Sequence, residues 1–108
     1  MQDINKIELS GLVGAVRRIN FQGKDVVNFS LKTDYCYINE EGFIICETTW
    51  HNVVVWEADN IPPLDSIQKG SRIHLIGRMR SNKYMSSDGI EQRFQEVVAH
   101  SLMIIEAA

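Results

Sequence analysis

The chain has 108 residues, of which 44% are apolar and 23% charged, as expected for one globular domain with a single core. We therefore treat residues 1–108 as one domain. The formal net charge of −3 at pH 7 argues against binding that relies on overall positive charge. No apolar run approaches the roughly 18 residues of a membrane span, and no signal segment is visible. We expect a cytoplasmic protein without membrane contact.

Two strands are predicted in the first third of the chain. The first runs from Ile7 to Ile19, and Gly11 and Gly14 interrupt it. Such glycines indicate a bend or bulge, where one strand serves two parts of a closed sheet. The second strand covers residues 26–37, and a glycine-containing turn over residues 39–42 returns the chain.

The third strand, residues 48–57, carries both tryptophans. Strand side chains alternate between two faces, so Trp50 and Trp56 share one face with Asn52 and Val54. The two rings are about 20 Å apart at roughly 3.3 Å per residue. This spacing suits a flat surface that contacts several planar groups in a row. The alternative is that both tryptophans belong to the core.

The remainder of the chain predicts a short helix and two more strands. Residues 58–70 form an insert whose two prolines forbid a long helix, so we predict a short one from Pro63 to Gln68. The fourth strand covers residues 72–79. A polar loop or extended hairpin with Tyr84 follows, and the last strand covers residues 93–105. Five strands with a helix between the third and fourth predict an all-β, five-stranded OB-fold barrel.

The two cysteines flank the predicted hairpin turn. Cys36 and Cys46 could face each other across it, but a reducing compartment would leave them as thiols. We expect two small, semi-buried free cysteines. The three histidines show no ligand-like spacing to them, so no metal site is predicted.

The basic residues concentrate in one part of the sequence. Residues 66–87 contain no acidic residue and five Lys or Arg residues. These basic residues form either a binding surface or a solvated strand face. No fingerprint of a nucleotide-binding loop, zinc protease, dinucleotide fold or serine hydrolase occurs. We therefore predict no enzyme activity, no cofactor and no small-molecule substrate.

Aromatic and basic side chains together indicate a nucleic-acid partner. Proteins that bind single strands combine a positive groove with aromatic faces that stack on bases. Arg78, Arg80 and Lys83 come just before Tyr84, so basic residues and an aromatic residue share one hairpin. No set of residues for reading base edges is evident, so sequence-independent binding is expected.

The chain resembles the bacterial-type single-stranded DNA-binding protein family over nearly its whole length. The matching segments follow one another at near-identical spacing: Asn5–Gly14, Val27–Thr33, Thr49–Trp56, Gln68–Ser71, Ile76–Arg80, Lys83–Tyr84 and Asp88–Gly89. The resemblance implies an OB-fold that assembles as a homotetramer, with a homodimer as the alternative, and wraps single-stranded DNA in replication, recombination or repair, in association with the nucleoid.

The resemblance also implies roles for individual residues. The base-stacking positions fall on four aromatic residues, Tyr37, Trp50, Trp56 and Tyr84. Together with the concentration of basic residues in segment 66–87, the resemblance implies phosphate contacts from six residues: Lys6, Lys69, Arg72, Arg78, Arg80 and Lys83. His51 stands where the family places a residue near the subunit interface.

Three departures from the family pattern are visible. Asn52 and Ala58 stand where basic residues are usual, and the helix region is rich in proline. The chain ends at Ala108 without the family's linker and acidic tip, so we expect either a shortened chain or a naturally tailless member. Two alternatives remain: an accessory protein like primosomal replication protein N, or an OB-fold that binds proteins without DNA.

Overall fold

Five long strands close into a barrel. The computed structural model describes residues 2–108, and the strand order around the closed barrel is β1-β2-β3-β5-β4. This is the predicted all-β, five-stranded OB-fold. The strands are β1 (Ile7–Phe21), β2 (Lys24–Ile38), β3 (Ile44–Trp56), β4 (Arg72–Met85) and β5 (Glu91–Glu106).

The strand β1 serves two neighbours, as its glycines predict. Its first part, from Ile7 to Leu12, pairs with β4, and the part from Leu12 onward pairs with β2. The register with β2 shifts between Val13 and Val16, which is the predicted bulge. At Gly11 the two strands approach so closely that an added Cβ would lie 2.1 Å from the carbonyl oxygen of Lys32. Glycine is therefore required at this bend.

The barrel interior is filled by alternating residues of every strand. Val53 and Val55 of β3 point inward, and Val53 pairs with Val97 in the parallel β3–β5 ladder that closes the barrel. The largest fully buried side chains are branched or aromatic, as the pleated surface favours. They include Phe29, Leu31, Ile73, Leu75, Val13, Val27, Val53, Val55 and Val97.

The helix predicted between the third and fourth strands is a single 3-10 turn, Leu64–Ser66. Pro63 is extended (φ −50°, ψ 133°) and Ile67 is extended again (φ −84°, ψ 103°), so only three residues are helical. The insert still seals one end of the barrel, because Ile61, Leu64 and Ile67 are buried in the core.

Two hairpin arms extend from the barrel. The β2–β3 ladder continues to the pair Ile38 and Ile44, and the β4–β5 ladder continues to Met85 and Glu91. The region after residue 80 is therefore an extended hairpin rather than a polar loop. Its turn closes through a hydrogen bond from the Gly89 amide to the Ser86 carbonyl, 3.0 Å.

The expectation of free cysteines is wrong. Cys36 and Cys46 lie directly opposite each other in the β2–β3 arm, with 4.1 Å between their Cα atoms, and form a disulfide. Facing positions in an antiparallel ladder bring the two sulfurs within bonding distance. Both residues are exposed rather than semi-buried.

Among residues 2–108, no helix is long and apolar enough to cross a membrane.

Candidate nucleic-acid interface

Trp50 and Trp56 lie on the outer face of β3. Trp50 is 58% exposed, and Trp56 is half-buried. Phe21 contacts Trp56 edge to face, with 6.4 Å between ring centroids and 76° between planes. Neither tryptophan belongs to the barrel core, so the core alternative is excluded for both.

A continuous strip of side chains connects the two tryptophans across three strands. Asn52 lies opposite Ser30, Val54 lies opposite Asn28, and Asn28 lies opposite Arg17 of β1. We call this the outer strip; it comprises Arg17, Asn28, Ser30, Trp50, Asn52, Val54 and Trp56. Because all of these residues share one face of the sheet, a ligand lying across it meets two aromatic rings, the amides beside them and a guanidinium at one side.

A cleft of about 400 Å³ opens beside the outer strip, between the β1–β2 turn and the β4–β5 arm. Its walls are mainly apolar and aromatic, and its floor carries polar groups. Residues from all five strands line it: Ile19, Phe21, Val26, Asn28, Asn52, Val54, Trp56, Arg80, Asn82, Phe94 and Glu96. A volume of this size is within the range of small-ligand sites, roughly 300–1,000 Å³.

The cleft floor holds a buried ion pair. Glu96 is 5% exposed, and its carboxylate accepts hydrogen bonds from Nε of Arg80, at 2.9 Å, and from Nη2 of the same guanidinium. The amide of Asn82 donates to the same carboxylate at 3.3 Å. The floor is therefore close to electrically neutral, although it contains one of the predicted phosphate-binding residues.

Tyr84 extends the aromatic surface along the β4–β5 arm. Its ring is 53% exposed and lies 5.8 Å from the ring of Phe94, which lines the cleft. By strand alternation, Tyr84 shares a face with Arg80 and Asn82. Three of the four predicted stacking residues, Trp50, Trp56 and Tyr84, thus lie in or beside the outer strip and the cleft.

Tyr37 lies apart from the other three. It is in the exposed β2–β3 arm, where it pairs with Ile45, and its ring contacts that of Tyr35 at 6.1 Å. The β2–β3 ladder has no register shift, and Trp50 pairs with Lys32. Alternation therefore directs Tyr37 to the face of the arm opposite that of Trp50.

The predicted basic residues are spread over several parts of the surface. Arg78 and Arg80 share the outer face of β4, whereas Lys83 projects from the opposite face and pairs with Glu91 at 3.3 Å. Arg72 begins β4 opposite Leu12 and Glu106. Lys6 precedes β1, and Lys69 follows the 3-10 turn; both are exposed.

Asp34 marks a local cluster of charge near Arg72. The Thr48 hydroxyl donates to its carboxylate at 2.6 Å and lowers the pKa of Asp34, and the charges of Lys32 and Arg72 lower it further. The carboxylate stays ionised, and its charge offsets that of the nearby cations.

His51 faces the inner side of β3 at one end of the barrel. It pairs with Leu31, and its Nε2 lies 2.9 Å from the Thr33 hydroxyl. Burial lowers the pKa of His51, so the neutral imidazole is favoured.

Sequence reasoning did not select Arg17, Phe21 or Phe94. Arg17 is exposed on the outer strip, and the two phenylalanines line the cleft. Phe21 and Phe94 come from distant parts of the sequence, at the ends of two different hairpins. Alternation along β1 places Arg17 on one face, but only the β1–β2 register places it opposite Asn28.

Comparison with known proteins agrees with this architecture. The model of the single-strand binding protein family matches residues 4–105. A single-stranded DNA-binding protein of Neisseria meningitidis serogroup A is 29% identical over 104 residues, which are 94% of this chain and 60% of the relative. One from Chlorobaculum tepidum is 25% identical and is matched over 66% of its length. The chain spans about 60% of the length of the curated relatives it matches.

Solved structures share the fold. The structure described as Plasmodium falciparum SSB complex with ssDNA superposes with a TM-score of 0.80 at 23% identity, covering 98% of both chains. A deletion mutant of the single-stranded DNA binding protein from Thermus aquaticus superposes with a TM-score of 0.74 at 19% identity, over 95% of this chain and 51% of that one. With the family model matching almost from end to end, the chain belongs to the single-strand binding protein family.

Proposed function

We propose that this chain binds single-stranded DNA by stacking bases on its exposed aromatic residues while basic side chains contact the phosphates. The observation that carries the proposal is the outer strip, where Trp50 and Trp56 flank polar side chains on an open sheet face and Tyr84 continues the surface. Each stacked base contributes roughly 1–3 kcal/mol. Such binding would protect single-stranded DNA during replication, recombination or repair, without catalysis. We place this activity in the cytoplasm, at the nucleoid.

The phosphate contacts come from residues next to the aromatic surface. Arg17 lies within the outer strip, and Lys24 lies beside Trp56 in the β1–β2 turn region. Arg80 lies on the cleft floor, and Arg78 precedes it on the same face of β4. Lys6, Lys69, Arg72 and Lys83 extend the path around the barrel, and Tyr37 provides a further stacking position on the β2–β3 arm.

We also propose that the chain assembles as a homotetramer, with His51 near the subunit interface. The family resemblance supports this, and apolar side chains such as Ile4 and Met103 are exposed on the barrel surface. Several linked binding sites would raise the affinity for long strands through effective concentration. Light scattering during gel filtration tests the assembly, and a monomer at micromolar concentration would contradict it.

Quenching of tryptophan fluorescence by an oligo-dT strand, at low and high salt, tests the proposal. Strong quenching that weakens with salt is expected, because stacked bases quench indole emission and phosphate contacts depend on salt. Trp50→Ala and Trp56→Ala should each lower affinity, whereas Asn60→Ala, in the loop after β3 and outside the outer strip and the cleft, should not. A folded protein that shows no quenching at low salt would instead support a protein-interaction module.

A further inference from the structure

We propose that the amides of Asn28 and Asn52 bind the hydrogen-bonding edge of one unpaired base. The inference rests on the proposed binding of single-stranded DNA and assigns a specific task to the floor of the outer strip. It concerns a base edge, not a phosphate, and thus differs from the stacking and charge contacts argued above.

The two amides lie at the junction of two hollows. Both line the cleft of about 400 Å³ and a neighbouring hollow of about 370 Å³ that also contains Ala15, Arg17 and Ser30. Asn28 pairs with Val54, and Asn52 pairs with Ser30, so the two asparagines are diagonal neighbours on one sheet face. Diagonal neighbours are roughly 7 Å apart, which lets both side chains reach one base.

Both amides are available for a ligand. Within residues 2–108, neither side chain makes a hydrogen bond, although Asn28 is half-buried. The side chains of four other asparagines do form hydrogen bonds: Asn5, Asn20, Asn39 and Asn82. An amide offers a donor and an acceptor side by side, which matches the paired donor and acceptor on the edge of a base.

The surroundings favour a base over a phosphate at this position. Trp56 and Phe94 provide aromatic walls, and Val26 and Val54 add apolar surface. The carboxylate of Glu96 lies on the floor and is neutralised by Arg80, so the floor offers no net positive charge to a phosphate. Arg17, at the outer side of the strip, remains for the phosphate of the same nucleotide.

The test compares an oligo-dT strand with the same strand made from N3-methylthymidine. Methylation blocks the hydrogen-bonding edge and leaves the stacking face intact. We expect the protein to bind the methylated strand roughly five- to tenfold more weakly, the effect of one lost pair of base-edge hydrogen bonds. The double variant Asn28→Ala/Asn52→Ala should bind both strands equally, at the level of the methylated strand.

Asn60→Ala is the matched control, because Asn60 lies outside both hollows, in the loop after β3. It should retain the full difference between the two strands. The milder variant Asn52→Ser keeps a small polar group and should lose part of the difference; thermal melting confirms that each variant is folded.

The outcomes separate the two proposals. If the protein binds both strands equally, or if the double variant keeps the difference, the role of the two amides is overturned while single-strand binding stands. If the folded protein does not bind oligo-dT at all, the proposed function fails and this inference fails with it.

Discussion

The six-membered ring of Trp50 lies against the backbone of Gly14. It occupies space that the side chain of any other residue at position 14 would need. A Cβ added to Gly14 would come within 2.8 Å of Cζ3 of Trp50 and within 2.5 Å of the Ser30 hydroxyl oxygen. The β1 bulge and the tryptophan of β3 are thus structurally linked. One side of the indole rests on the sheet, and the rest is exposed to solvent.

Gly14→Ala should therefore displace the Trp50 ring and weaken binding of oligo-dT. The expected loss is about 1–2 kcal/mol, the contribution of one stacked base, measured by fluorescence titration. In a Trp50→Ala background the same substitution should cost much less binding, because the ring it displaces is absent. Equal losses in both backgrounds would show that Gly14 acts through the fold and not through Trp50.

Arg80→Ala should destabilise the protein, because it leaves the Glu96 carboxylate buried without its cation. The cost is about 2 kcal/mol, below the range for fully buried pairs since Arg80 is partly exposed. The double variant Arg80→Ala/Glu96→Gln removes both charges and should recover most of this loss. Urea unfolding of the three proteins provides the measurement.

The same variants reveal whether Arg80 also contacts a phosphate. If it does, the dependence of log affinity on log salt concentration becomes shallower by about 0.7 in both variants. An unchanged slope in a stably folded Arg80→Ala/Glu96→Gln protein would restrict Arg80 to holding the floor of the cleft.

Reduction of the Cys36–Cys46 disulfide should loosen the end of the β2–β3 arm without unfolding the barrel. The bond closes a short loop, with ten residues of sequence separation, and lies outside the core. Losing it should cost roughly 2 kcal/mol locally, or about a 30-fold faster amide exchange over residues 34–47. The β4–β5 arm has no disulfide and serves as an internal control. Identical exchange in the reduced and oxidised proteins would contradict the prediction.

His51 should make stability depend on pH. Burial favours the neutral imidazole, so the folded pKa is below the ordinary value of about 6.5. The unfolded chain then binds the proton more readily. The stability contribution is complete above about pH 6.5 and is lost as the pH falls through the folded pKa.

The control for this prediction is His51→Gln. Its free energy of unfolding, from urea titrations at pH 7.5 and 5.5, should differ from that of the original protein more at pH 7.5 than at pH 5.5. A constant difference between the proteins at both pH values would exclude His51 as the source.

The sequence predicted features that depend on local periodicity. Alternation along residues 48–57 placed Trp50 and Trp56 on one face and Val53 and Val55 on the other, and the structure has both sets there. Gly11 and Gly14 indicated the bulge of β1. Each prediction follows from the geometry of one strand, since side chains alternate and only glycine tolerates close backbone contact.

Strand bounds and the helix were less well predicted. The β4 strand continues six residues beyond Met79, to Met85, because its partner β5 extends the ladder equally far. The predicted helix is one 3-10 turn, because Pro63 and Ile67 are both extended. Local sequence propensity carries no information about which segment a residue will pair with. Predictions from it therefore missed the true end of β4 and the extent of the helix.

The sequence by itself predicted the five strands, the two faces of the third strand, and an aromatic surface with basic residues nearby. The tertiary structure decided which side chains come together: Arg80 binds Glu96, Cys36 bonds to Cys46, and Asn28 and Asn52 line one cleft. These contacts join residues of different strands. They depend on the ladder register and on closure of the barrel, and the alternation within any single strand leaves both of these undetermined.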